Sequence, residues 1–142
     1  MDLPKVISLL HRKMTAELND RLHEIGLSTA KLRLMKHLYN KEEMTQTDLC
    51  KDLKLDKSTV AKMVNRLENR GFITKQTKPN DSRFVWLSLT SKSRRIIPQS
   101  EKITSKWSHD VTSVLTETEK ELFSELLHKV SQQAAAVFHK QS

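Results

Sequence analysis

The sequence predicts a mainly α-helical fold that carries one small β-hairpin wing. Three observations predict it. Apolar residues recur at helical spacing along most of the chain, one stretch (residues 72–89) is instead rich in β-branched and aromatic residues, and glycine is nearly absent, with only Gly26 and Gly71. Scarce glycine disfavours Gly-rich barrels and sandwiches. It also excludes nucleotide motifs, because a dinucleotide fingerprint needs three closely spaced glycines and a phosphate-binding loop needs a pair.

In the first helix Val6, Leu10, Met14, Leu18 and Leu22 form one stripe, running from about residue 3 to the glycine stop at Ile25-Gly26. Ser28 caps the second, with Leu27 and Leu32 at the staple positions. That helix carries Leu32, Leu34, Met35, Leu38 and Tyr39 and ends near Asn40, in the charged loop Lys41-Glu42-Glu43. Thr45 and Asp48 start a short third helix with Leu49, Cys50 and Leu53; the turn Lys54-Leu55 leads to a new cap, Asp56, and a helix over about 56–70 that stops at Gly71. Two short helices joined by a tight turn, the second capped and basic, read as a helix-turn-helix.

Phe72 to Thr77 and Phe84 to Leu89 read as two strands around Lys78-Pro79-Asn80-Asp81-Ser82-Arg83, a hairpin with a six-residue polar tip. Added to the preceding helices, it makes a winged helix-turn-helix. Thr90 caps a further helix with Ile96, Ile97, Ile103, Trp107 and Val111, which Pro98 should kink. Thr116 with Glu119 starts the last helix, striped by Leu122, Phe123, Leu126, Leu127, Val130, Ala134 and Val137. The first and last helices have strong apolar faces and no partner in the middle module. They are expected to pack on each other and on a second copy, as N- and C-terminal dimerisation helices.

The 142 residues suit one domain, and 37% hydrophobic with 30% charged residues suits a soluble fold. The longest apolar run, Ala134 to Phe138, is too short for a membrane span or signal core, so a cytoplasmic protein with no membrane partner is expected. A lone cysteine, Cys50, excludes an internal disulfide and a multi-cysteine zinc site.

Twenty-five basic and seventeen acidic residues give a net charge of +8. From Lys54 to Arg95 there are eleven basic residues and three acids, Asp56, Glu68 and Asp81, so this segment holds the whole excess and the remaining 100 residues are neutral. That is a polyanion footprint in mid-chain, or a solvated basic face. At about 100° per residue, Val60, Met63, Val64 and Leu67 gather on one side of the 56–70 helix, while Ser58, Lys62, Asn65, Arg66 and Asn69 gather on the other. The start of such a helix enters the major groove of DNA. Ser58, Thr59 and Lys62, then Asn65, are the candidates for base contact, and Lys57 and Arg66 for phosphates. On the wing, Lys78 and Arg83 are further DNA candidates. A protruding Arg can enter an A·T-rich minor groove, with Asp81 orienting it or capping the turn.

Together these segments resemble the MarR family of bacterial transcription regulators over essentially the whole chain. The most specific stretch runs from Leu55 to Arg94: Leu55-Asp56-Lys57-Ser58-Thr59-Val60 at the helix start, Leu67 to Ile73 at the helix-to-wing junction, Pro79-Asn80-Asp81-Ser82-Arg83 as the D-x-R wing, and Leu89 to Arg94 opening the next helix. The family usually has Gly where this chain has Ser93. The resemblance implies one family domain over 1–142, with 1–26 and 91–142 as the helical dimerisation region and 28–90 as the DNA-binding lobe. It implies a triangular homodimer that binds pseudo-palindromic operators in double-stranded DNA, usually as a repressor, with Arg83 in the minor groove and Asp81 supporting the wing. It also implies release of DNA by small organic effectors, metals or oxidants.

Cys50 reads either as an oxidant sensor or as a small buried hydrophobe; the family's peroxide sensors carry their cysteine near the start of the first helix, where this chain has none. No metal site and no cofactor are expected. His109 is followed four residues on by Ser113, and His23-Glu24 and His109-Asp110 point apart on a helix. His11, Met14, His37 and Trp107 could line an effector pocket but read more readily as core or interface residues, so no effector residues are assigned. Two other functional readings stand beside the regulator: a winged-helix module for a protein partner without specific DNA binding, and an oxidant-sensing regulator using Cys50. Catalytic constellations are missing, so no enzyme is expected.

Overall fold

A computed structural model describes residues 1–139; the side chains of Phe138 and His139 and residues 140–142 lie outside that description. The helices are α1 (Leu3–His23), α2 (Thr29–Tyr39), α3 (Gln46–Leu53), α4 (Lys57–Asn69), α5 (Ser91–Thr112) and α6 (Glu117–His139). The strands are β1 (Met44–Thr45), β2 (Ile73–Lys78) and β3 (Asp81–Leu89), in one antiparallel sheet of order β1-β3-β2.

The helix starts follow the local side-chain chemistry. Ser28 Oγ accepts from Lys31 N at 3.2 Å, Thr45 Oγ1 from Asp48 N at 3.1 Å, and Asp56 Oδ1 from Thr59 N at 2.8 Å. At the start of α6, Thr116 N donates to Glu119 Oε2 at 2.8 Å and Glu119 N to Thr116 Oγ1 at 3.2 Å, a reciprocal capping box. Three helices end in the same device. A left-handed residue lets two successive N–H groups turn back onto the last carbonyls. Gly26 N reaches His23 O at 3.0 Å and Leu27 N reaches Leu22 O at 2.9 Å; Gly71 N reaches Glu68 O at 3.0 Å and Phe72 N reaches Leu67 O at 2.9 Å. Between α3 and α4 the same geometry falls on Lys54, at φ 54, with Leu55 N on Cys50 O at 3.2 Å. A side chain there costs about 1 kcal/mol that glycine would not.

Residues 1–104 form one compact unit and those from 105 onward another. In the first, Leu34, Met35, Leu38, Leu49, Val60, Val64, Leu67, Phe72, Ile73, Leu87 and Ile97 are fully buried. The second contains the end of α5 and all of α6; its Leu122, Phe123, Leu126, Leu127, Val130 and Val137 stand 44–52% exposed. Helix α5 continues past Pro98 without ending.

The wing departs from the sequence reading. Its connection is only Pro79-Asn80, because Lys78 already pairs with Asp81. The next pair is Thr77 with Val85, so Ser82, Arg83 and Phe84 form a bulge on β3 instead of belonging to a six-residue tip. The polar run that resembles a loop is an irregular strand held by pairing. Strand β1 was also not expected. Its two residues pair with Leu87 and Trp86, immediately after the charged loop.

Candidate nucleic-acid interface

On α4, Val60, Val64 and Leu67 are fully buried, and Lys57, Ser58, Lys62, Asn65 and Arg66 are exposed, with Thr59 half-buried. The polar face expected from the wheel therefore stands free of the core. Its N-terminal turn is already hydrogen-bonded. Ser58 Oγ donates to Asp56 Oδ1 at 2.7 Å and Thr59 Oγ1 donates to Asp56 Oδ2 at 2.8 Å. Both hydroxyls spend their proton on the cap, so toward an outside partner each presents oxygen lone pairs. The backbone N–H of Thr59, then the two hydroxyls, hold the Asp56 carboxyl down to about 2.

The other nominated residues divide in two. Among the described residues Lys57, Lys62 and Arg66 are exposed cations without an ion-pair partner, open to an anionic partner such as DNA. Asn65 and Lys78 have partners contributed by distant chain segments. Lys75 Nζ on β2 donates to Asn65 Oδ1 at 2.7 Å and lies 3.5 Å from Glu68 Oε1. Lys78 is ion-paired with Glu43 and stacks over the Trp86 ring at 3.7 Å from its centroid. Arg83 is 82% exposed in its side chain, and its Nε donates to Asp81 Oδ1 at 3.3 Å. The long contact restrains the guanidinium and leaves most of its donors outward.

Sequence reasoning did not nominate Lys31, Lys75, Glu43 or Arg94. Partial burial, then the charges of Arg70 and Arg66, push the Lys31 ammonium below its usual range, so α2 adds a cation beside the end of α4. Arg94 NH1 and NH2 donate to the carbonyls of Tyr39 and Lys41, each at 3.3 Å, fixing the end of α2 and the loop that bears Glu43. The contacts of Glu43 and Arg94 span 35 to 55 residues of chain and leave no sequence signal. Among the described residues no group of three His, Cys, Asp or Glu is placed to hold a metal. Cys50 is half-buried on α3. Among the described residues no helix is long and apolar enough to cross a membrane.

The chain is similar to known proteins in sequence and in fold. The model of the MarR family matches residues 27–85, from just before α2 into β3. An uncharacterised HTH-type transcriptional regulator of Bacillus subtilis, YdgJ, is 28% identical over 105 residues, which is 74% of this chain and 64% of YdgJ. The chain thus spans less than two thirds of that relative's length. The transcriptional regulator HosA of Escherichia coli is 30% identical over 111 residues, covering 76% of this chain and 81% of HosA. Among solved structures, a mutant MarR from E. coli complexed with operator DNA matches with a TM-score of 0.78 and 25% identity, over 92% of this chain and 94% of that one.

The Asp56 cap has a pH signature. Its folded-state pKa lies below the unfolded value of about 4, so the cap stabilises the fold above that value and is lost as pH falls toward about 2. Asp56→Ala should unfold at lower urea than the parent at pH 7, and the difference should shrink steadily between pH 5 and pH 2.5. Equal differences at both ends of that range would contradict the assignment.

Proposed function

The chain belongs to the MarR family, and from that premise we propose that it is a transcription regulator that binds double-stranded operator DNA as a homodimer. The observation that carries this is the co-location of the whole net charge with two exposed polar elements of one unit, the outer face of α4 and the Arg83 bulge of the wing. Helix α4 enters the major groove: Lys62 and Asn65 reach base edges, Ser58 and Thr59 offer acceptors, and Lys57 and Arg66 hold phosphates. The wing follows the backbone, with Arg83 in the minor groove, Asp81 aiming it and Lys78 beside it. Residues 28–90 form the DNA-binding lobe, and 1–26 with 91–142 the dimerisation region. A chromosomal target places the protein in the cytoplasm, and an operator overlapping a promoter makes it a repressor.

Two exposed apolar faces support the dimer. On α1, Val6, Ile7 and Leu10 stand about half exposed, and on α6 so does the row from Leu122 to Val137. Rows of this length are not left to water by a stable soluble chain, and a second copy offers an identical row.

An effector site is supported by a pocket of about 400 Å³ within residues 1–104. Met14, Leu18 and Leu32 give it an apolar floor, and Arg33, Lys36 and His37 bring basic groups to its rim. That lining suits a small organic acid with an aromatic or branched body. Met14 and His37 are two of the four candidates from sequence; His11 and Trp107 are not among its lining residues.

Four measurements test these readings. On an operator found upstream of the chain's own gene, affinity should fall ~10³–10⁵-fold between about 50 and 200 mM salt. Arg83→Ala should weaken A·T-rich operators more than random duplex; an equal loss on both would reduce Arg83 to a phosphate contact. Leu126→Glu should sediment as a folded monomer and lose cooperative operator binding, whereas a persisting dimer would place the interface elsewhere. Benzoate should raise the melting temperature more than benzylamine or benzyl alcohol, and Arg33→Glu should remove the difference. Indifference to ligand charge would refute the acid-binding pocket.

A further inference from the structure

The contact between Lys75 and Asn65 bears on which base pair the chain selects. Lys75 sits opposite Leu87 in the β2–β3 register, and Leu87 is fully buried. Paired residues of antiparallel strands project to the same face of the sheet, so Lys75 starts on the helix-packed side and leaves it along the flank of α4. Its side chain is 31% exposed and its Nζ lies between Asn65 Oδ1 (2.7 Å) and Glu68 Oε1 (3.5 Å). The register and two acceptors one helical turn apart hold the ammonium in place.

An ammonium only donates, so the oxygen of the Asn65 amide, not its nitrogen, faces Lys75. That settles the orientation of the amide and leaves its NH2 as the group for an outside partner. Asparagine reads adenine by accepting from N6 with its oxygen while donating to N7 with its nitrogen. Here Lys75 occupies the oxygen and places positive charge where the N6 hydrogens would approach. Guanine presents two acceptors, O6 and N7, to the same groove, and an amide restricted to donation fits both.

We propose that Lys75 is a specificity-determining residue, which makes Asn65 a donor-only reader and so selects G·C over A·T at the base pair it contacts. This rests on the DNA-binding reading above. The role is one of positioning, since Lys75 acts through Asn65.

The test is selection from a random duplex pool with the full-length protein and its Asn65→Ala, Lys75→Met and Lys75→Arg variants, followed by competition binding on the selected site. The position whose preference disappears in Asn65→Ala identifies the contacted pair. The parent should favour G·C there about tenfold, Lys75→Met should shift the preference to A·T by a similar factor, and Lys75→Arg should keep G·C. If Asn65→Ala alters no base preference, if the parent prefers A·T at that position, or if Lys75→Met weakens all duplexes equally, the proposal is wrong. Lys75→Arg behaving like Lys75→Met also overturns it. A parent that enriches no sequence at all instead removes the DNA-binding reading itself, an outcome distinguishable from the others because it needs no variant.

Discussion

Everything that positions the interface converges on three successive carbonyls, those of Arg70, Gly71 and Phe72. Lys92 Nζ donates to Arg70 O at 2.8 Å, Thr90 Oγ1 to Gly71 O at 2.6 Å, and both Thr90 N (3.1 Å) and Ser93 Oγ (2.5 Å) to Phe72 O. The acceptors end α4 and begin β2; the donors end β3 and begin α5. One short stretch of backbone therefore joins α4, both long wing strands and α5. The junction requires Gly71 at φ 78, which turns Phe72 inward, where it is 2% exposed. Moving the wing against α4 means breaking this set of hydrogen bonds, each worth about 1 kcal/mol net, with the buried Ser93–Phe72 bond costing more if a partner is left stranded. Ser93 adds the buried one of those bonds through its hydroxyl.

Magnitudes decide what the acids near the basic surface do. Glu43, Glu68 and Asp81 each pair with a lysine or arginine at a site open to water. Exposed ion pairs contribute about 0–1 kcal/mol to folding. They add little to stability and much to geometry, by restricting long side chains that otherwise sample many rotamers. Glu43 is itself held in place, since Arg94 fixes the carbonyls of its loop. The wing cation Lys78 is thus stationed by a series of contacts running back to α5.

The parts of the fold legible in the sequence are those whose cause is local. A hydroxyl or carboxylate three residues before a backbone N–H makes a cap wherever it occurs, so Ser28, Thr45, Asp56 and Thr116 could be read directly. The buried face of α4 follows from spacing alone. What could not be read is whatever pairing across the chain creates. Strand β1 has two residues and exists only because β3 lies beside it. Pro, Asn, Asp and Ser at 79–82 describe a loop by local preference, but pairing of Lys78 with Asp81 overrides it at all but two positions. The exposure of Lys62 and Arg83 was foreseeable from periodicity and turn chemistry. The Lys75 partner of Asn65, ten residues away, was not, and it changes what Asn65 can say to a base.

Burial divides the described residues by how far they depend on a partner. Residues 1–104 enclose their own core, with twelve apolar side chains at 2% exposure or less. Helix α6 does the opposite, since its capping box starts a helix whose large apolar residues remain about half in water. On the proposed dimer, folding of the lobe is a property of one chain, whereas the order of the terminal helices depends on protomer concentration. The pocket proposed above for an organic acid is lined from Leu18 of α1, Leu32 and Lys36 of α2 and Thr104 of α5, and by no residue of α4 or the wing. A ligand held there would therefore act through the helices that carry it and not by occupying the surface proposed for DNA.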